Sequence, residues 1–311
     1  MKKKIAIIGS GIAGLTSGWL CREAGAEVTI LEARANRGMD SFTQVLNVEG
    51  GEPGNVDVPL RVMSPHAWPT VLNLCEKLGV KTFEVNTHVA CSWVNSKTWF
   101  RSDTIQIGSK IYPWAPLNYL LRTETYRILL GFIRLLNSDP KHLDSGLTLK
   151  DFSEHHRVDP LFWKGLLYPL LITISTSSEK TIDHWPAKQI LNLLQKIVFG
   201  ARLRRIQGGT KALAEKLGED LNWQNGIRVE KLVEKSSGIF IYSQNMKFGP
   251  FDYVICAVQA NQLNFLPEQY SNESKLLNSF PYDSGTLWVH RDFRFMPEKK
   301  KDWSPLHYQM N

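Results

Sequence analysis

Cysteine is scarce in this chain: four in 311 residues. Cys21, Cys75, Cys91 and Cys256 stand far apart, so there is no C-x-x-C pair of the metal or redox type and no basis for a disulfide framework. They are expected to be free thiols in a reducing, cytoplasmic compartment. Long apolar runs are missing as well. The most apolar stretch, Leu166 to Ile174, is about half the length of a bilayer-spanning helix and contains Pro169. The opening three lysines followed by Ile5 to Ile8 imitate a secretory signal, but Gly9, Gly11 and Gly14 interrupt it and no A-x-A-like cleavage site follows, so a buried first strand is expected instead. Charge of one sign is not abundant: 37 basic against 30 acidic residues leave +7. The two lysine runs, at 2–4 and 299–301, are too short to argue for nucleic acid. No metal constellation stands out, since the side chains of adjacent His155 and His156 diverge and no third ligand has useful spacing. Ser177 and Ser178 lack a nucleophile elbow, which removes support for a hydrolase. Repeats and low-complexity segments are absent.

What is present is an ordinary globular balance, 43% hydrophobic and 22% charged residues, long enough for two domains or one domain with an inserted cap. Ile5 to Ile8 is a short, continuously apolar, β-branched run of the kind buried on both faces of a parallel sheet. Leu15, Trp19, Leu20 and Ala24 then recur at helical spacing, Gly25 closes that helix, and Val28 to Leu31 forms a second buried strand, giving a right-handed β-α-β unit. A helix is expected from about Pro69 to Leu78, short antiparallel strands over residues 82–107, and helices from Pro116 to Leu217, with Tyr126, Leu129, Leu130, Ile133 and Leu136 on one apolar face. A meander is expected near 227–233, 238–243 and 246–248, and further strands at Tyr253 to Val258 and Leu287 to His290.

The chemistry is concentrated at Gly9, Gly11 and Gly14. A lone G-x-G-x-x-G is a weak signal, but this one follows a strand, opens a helix, and precedes Glu32 at the end of the second strand. The first glycine permits a tight turn, the second lets backbone approach a pyrophosphate, and the third allows the helix to pack closely on the strand. The helix N-terminus offers unpaired N–H groups and a positive dipole to phosphate. Glu32 is expected to accept from both hydroxyls of an adenosine ribose, and its carboxylate would repel a 2′-phosphate, which disfavours NADP. Nicotinamide and flavin dinucleotides share this fingerprint, so an NAD-dependent dehydrogenase stays in view.

The segments IIGSGIAGLTSGWLCREAGAEVTILEA (7–33), IQGGTKALAEKL (206–217), and NGIRVEKLVE (225–234) followed by DYVICAVQA (252–260) resemble the flavin-containing amine oxidase and phytoene desaturase superfamily. Within it, VDVPLRVMSPHAWPTVLNLCEKLGV (56–80), LLYPLLITISTSSEKTIDHWPAKQIL (166–191) and VHRDFRFMPEKKKDW (289–303) are similar to a bacterial "predicted NAD/FAD-binding protein" family, related to a domain fused to some cyclopropane fatty acid synthases. The resemblance implies an α/β fold: a Rossmann-type FAD-binding domain of parallel sheet plus antiparallel meander at 1–80 and 200–265, with an inserted α+β substrate or cap domain at 81–199 and 266–311. It implies FAD bound by Gly9, Ser10, Gly11, Ile12, Ala13, Gly14, Glu32, Ala33, Arg34, Gly38, Met39, Leu60, Arg61, Val62, Val229 and Ala257. Leu60, Arg61 and Val62 would run beside the isoalloxazine, with Arg61 stabilising negative charge on the reduced ring. Two departures accompany it. Met39 replaces the second of a usual Gly-Gly pair, and nothing after Trp303 matches the Gly-Asp segment that ordinarily covers the flavin.

The expected activity is hydride transfer from a largely apolar or amine small molecule, with a lipid favoured by the neighbouring resemblance. The alternative is a shortened flavin-fold binding or partner subunit without turnover, in an oligomer or with a chain that completes the fold. No nucleic acid and no transmembrane segment are expected, while peripheral lipid contact is compatible with the sequence. Trp163, Tyr168, Trp185 and Trp288 are either core or the lining of an apolar tunnel. Arg202, Arg204 and Arg205 read as a solvated basic face.

Overall fold

A computed structural model describes residues 1–38, 43–47, 54–94, 97–107, 110–198 and 202–310. The chain divides into two compact units. The first comprises Met1–Arg61, Asn73–Phe83 and Arg205–Tyr282, and the second Val62–Leu72, Glu84–Arg204 and Asp283–Asn311.

The first unit is the Rossmann-like α/β element that the apolar runs and glycines predict. Strand β1 (Lys4–Ile8), helix α1 (Ile12–Glu23) and strand β2 (Glu27–Glu32) follow in order. The two strands pair in parallel, Ile5 opposite Val28 and Ile8 opposite Leu31. Tyr253–Cys256 pairs in parallel on the other side of β1, and Asn222–Asn225 lies outside β2, completing a four-stranded parallel sheet. Sequence reading misses the Asn222–Asn225 strand because three of its four side chains are polar, with only Trp223 between them, and nearly all are half-exposed, as an outermost strand allows. The meander is present as Lys231–Lys235, Gly238–Ser243 and Met246–Phe251, all antiparallel. It packs Leu232, Ile241 and Phe251 with Ala6, Ile8 and Leu31 of the sheet.

The second unit holds the helical block. Its core gathers Phe152, Phe162, Trp163, Leu167, Tyr168 and Leu191 around the strands Val89–Trp93 and Thr98–Arg101. Val89–Trp93 also pairs in parallel with Leu306–Met310, a long-range pairing that local pattern cannot reveal. The helix expected through Tyr126 and Ile133 runs from Thr123 to Asn137, but it buries a different face. Thr125, Ile128, Gly131 and Leu135 point inward, while Tyr126, Leu130 and Ile133 are exposed. Gly131 fixes that choice: a Cβ there would lie 2.2 Å from Cγ of Phe162, so only a bare backbone can lie against that ring. The strand expected at Leu287 to His290 does not form. Residues 281–290 have no regular structure, and among the described residues no neighbouring strand offers a ladder. Trp288 is 84% exposed there, so it stands apart from Trp163 and Tyr168, which are buried core. Arg202 and Arg204 pair with Glu84, each at 3.5 Å.

All four cysteines are free, and burial pushes the Cys75, Cys91 and Cys256 thiols up, away from reactivity. Among the described residues no helix is long and apolar enough to cross a membrane.

Two expectations follow for the second unit. Gly131→Ala forces a carbon into the Phe162 ring and should destabilise the protein by about 1–3 kcal/mol, measured as a drop in thermal midpoint. In the last strand, His307 Nε2 lies 2.9 Å from Ser92 Oγ and Nδ1 lies 3.3 Å from the Phe295 carbonyl oxygen. Burial lowers its pKa, against a smaller opposing pull from that carbonyl. Below about pH 6.5 the unfolded chain therefore binds the proton that the folded state refuses. This contribution is intact above that pH and is lost as pH falls toward the folded value. The thermal midpoint should decline between about pH 7 and 5, and less steeply in His307→Gln.

Candidate dinucleotide site

Each glycine of the loop after β1 has a different physical reason to be there. Gly9 adopts φ +97°, and a Cβ on it would sit 2.7 Å from the Ala257 carbonyl oxygen. Its N–H donates to the Leu31 carbonyl at 2.9 Å, which ties the turn to β2. Gly14 faces inward on α1, where a Cβ would lie 2.0 Å from the Gly9 carbonyl oxygen and 3.2 Å from Cβ of Ala257. Gly18, one turn later, brings the helix down onto Ile7, Ile30 and Leu221. Gly11 is different. It is the N-cap of α1 with φ −64°, and a Cβ there would meet nothing within 4 Å among the described residues.

The loop is thus closed where it touches its own fold and open at one backbone position. That position begins a twelve-residue helix whose N-cap accepts no capping side-chain bond and whose first turn carries no acid. Gly11, Ile12 and Ala13 are exposed. Their arrangement can hold an anionic group against free N–H groups and the positive end of the helix. The glycine motif and this open cradle together fit the diphosphate of a dinucleotide.

Glu32 ends β2 beside this turn. Its Oε2 accepts from Ser10 N at 3.0 Å and Ser10 Oγ at 2.5 Å, and its Oε1 accepts from Arg34 N at 2.8 Å. Ser10 is fully buried, and its hydroxyl also accepts from Gly38 N at 3.0 Å. Gly38 itself has φ +55° and sits against Leu15 and Ala214. Ala33 and Arg34 are exposed, and Met39 lies outside the described residues. Ala257 donates its N–H to Ile8 at 2.8 Å and forms the wall against which Gly9 and Gly14 close. Val229 is buried in the meander core. Leu60 and Arg61 are exposed at the end of one stretch of the first unit, and Val62, half-buried, begins the second unit.

One residue escaped sequence reasoning. Asp57 is only 4% exposed. Its carboxylate accepts from Thr210 N at 2.9 and 3.1 Å, Thr210 Oγ1 at 2.8 Å and Thr43 Oγ1 at 3.2 Å. It caps the helix Gly209–Leu217 from a distant strand, because Gly208 and Gly209, both at positive φ, have no side chain to do so. The available signal was a helix start built on two glycines, which requires an acceptor from elsewhere.

The NAD(P)-binding Rossmann-like domain family model matches residues 7–78. Flavin-containing amine oxidase A of Canis lupus familiaris is 24% identical over 93% of this chain, which spans 58% of that enzyme's length. Among solved structures, an oxidoreductase from Methanosarcina mazei superposes with a TM-score of 0.60 at 16% identity, covering 89% of this chain and 65% of its own. Cyclohexylamine oxidase from Brevibacterium oxydans gives 0.57 at 15% identity, covering 89% of this chain and 63% of its own. Residues 7–78 form a Rossmann-like domain, and over most of its length the chain shares the fold of these two solved structures.

Gly11 and Gly14 separate ligand contact from packing. Gly11→Ala meets open space at an ordinary φ. It is the cap rather than an interior residue, so the helix-propensity gain does not apply, and a small cap loss offsets reduced unfolded-state freedom. Its apo thermal midpoint should stay near wild type while dinucleotide binding falls. Gly14→Ala should lower the apo midpoint itself. Differential scanning fluorimetry with and without FAD reads both.

Proposed function

We propose that the protein is an FAD-dependent oxidoreductase of the amine oxidase and phytoene desaturase type, acting on a largely apolar or amine-bearing small molecule in the cytoplasm. The observation that carries this reading is the open direction at Gly11 in a loop that is otherwise sealed by its own backbone. The likeness to flavin-containing amine oxidases supports the cofactor and the reaction class. An acyl lipid is the substrate class we favour, from the resemblance of 56–80, 166–191 and 289–303 to a family associated with lipid modification.

In this reading the chain's own residues bind and orient. The N–H groups that follow Gly11, those of Ile12 and Ala13 among them, hold the diphosphate, Glu32 holds the adenosine ribose, and Ala257 and Val229 support the loop and its floor. Bound flavin supplies the hydride acceptor. Arg61 is assigned to the electrostatic support of that ring, flanked by Leu60 and Val62. The cofactor domain is assigned to 1–80 and 200–265 and the substrate domain to 81–199 and 266–311.

A second reading is a binding or partner subunit of the same fold without turnover. It is supported by the edge strand Tyr253–Cys256, which has one partner among the described residues, and by the exposed Leu287, Trp288 and Val289. A chain partner and peripheral lipid contact both belong to this reading.

Purified protein should carry flavin absorbance that denaturation releases, or acquire it on reconstitution with FAD; protein that stays colourless after both sinks the first reading. Glu32→Gln turns one acceptor oxygen into a donor and removes charge-assisted bonds worth about 1.5–3 kcal/mol. FAD affinity should therefore fall by roughly tenfold to a hundredfold, measured by quenching of flavin fluorescence.

A further inference from the structure

The Glu32 carboxylate is not an open fork. Gly38 N has only a proton to give, so it takes a lone pair of Ser10 Oγ at 3.0 Å, and the single hydroxyl proton of Ser10 is then committed to Glu32 Oε2 at 2.5 Å. Ser10 N donates to the same oxygen at 3.0 Å. A carboxylate offers about four lone-pair positions, two on each oxygen. Oε2 has both taken from within the protein, while among the described residues Oε1 receives only Arg34 N, at 2.8 Å. Because Ser10 is 0% exposed, its hydroxyl points into the fold and not toward the diphosphate, although the motif places it among cofactor-binding residues.

We propose that Ser10 is a positioning residue for ribose recognition: by filling Oε2 internally it leaves Oε1 as the one ligand-facing oxygen, so that one hydroxyl of the ribose diol is read and not two. The inference rests on the dinucleotide reading of the loop. Through Gly38 N the same hydroxyl also couples the left-handed Gly38 turn to the acid, so the ribose acceptor and the next loop are set together.

The test uses calorimetric titration of the protein with ADP, 2′-deoxy-ADP and 3′-deoxy-ADP, which needs neither flavin nor turnover. In the wild type, loss of one hydroxyl should weaken binding about tenfold and loss of the other less than about twofold. In Ser10→Ala, Glu32 keeps the amides of Ser10 and Arg34, but Oε2 regains a free acceptor position for the second hydroxyl, so the two penalties should come within about threefold of each other. Ser10→Cys leaves no cavity and carries only a feeble donor; it should behave like the alanine variant and replaces it where alanine does not fold. Equal penalties in the wild type, or a wild-type profile retained in a variant that melts normally, overturn the role of Ser10 and leave the dinucleotide site standing. A wild type that binds neither ADP nor FAD overturns both.

Discussion

The first unit depends on one close approach of backbone to backbone. Helix α1 leaves the sheet so tightly that the Gly14 backbone rests against the Gly9 carbonyl, with Ala257 wedged against both. No side chain larger than hydrogen fits at either glycine, and the cost of two glycines in or near a helix is accepted to obtain it. Once the approach is made, much else is fixed. Gly18 lies on Ile7 and Ile30, and the N-terminal turn emerges beside the carboxyl end of β2. That is where open α/β sheets carry their ligands.

Closure elsewhere gives the opening at Gly11 its meaning. A loop with slack would leave free space at several positions, and free space at one would say little. Here Gly9, Gly14, Gly18 and Gly38 all meet protein atoms within about 3 Å of an added carbon, and Gly11 meets none within 4 Å among the described residues. Within the G-x-G-x-x-G turn itself the contrast is between Gly9 and Gly14, closed by backbone, and Gly11, which is open.

The parts legible in the sequence were those in which local pattern and tertiary environment agree. Ile5 to Ile8 and, apart from Thr29, Val28 to Leu31 are apolar on both sides because helix and meander cover both faces of the sheet, and the glycine spacing encodes the turn. The parts not legible depend on partners far away in the chain. Asn222–Asn225 is polar apart from Trp223 because it lies outside β2, and one aromatic in four residues marks no alternation. Leu306–Met310 becomes a strand only because Val89–Trp93 is beside it. The helix Thr123–Asn137 has two apolar stripes, and the one that is buried includes Gly131, a residue that hydrophobic counting ignores but that Phe162 selects. Leu287 to His290 has strand-like composition without a pairing neighbour among the described residues, which shows that composition proposes a strand and pairing makes one.

The two carboxylates of the first unit, Glu32 and Asp57, show how an acid that serves the fold can be told from one able to serve a ligand. Both end strands, and both accept from backbone N–H groups at a turn. Asp57 is almost wholly buried, and its bonds go to Thr43 and, on both oxygens, Thr210, so what it holds is the start of the helix Gly209–Leu217. Glu32 is only half-buried, and among the described residues its bonds are unequally shared, two on Oε2 and one on Oε1. The unequal sharing follows from Ser10, whose amide and hydroxyl both converge on one oxygen. An acid saturated on both sides would be architecture, and an acid bonded on neither would swing. Glu32 is anchored at both oxygens, and among the described residues Oε1 keeps one acceptor position, which is the condition under which a charged side chain can be rigid and still have an acceptor to offer.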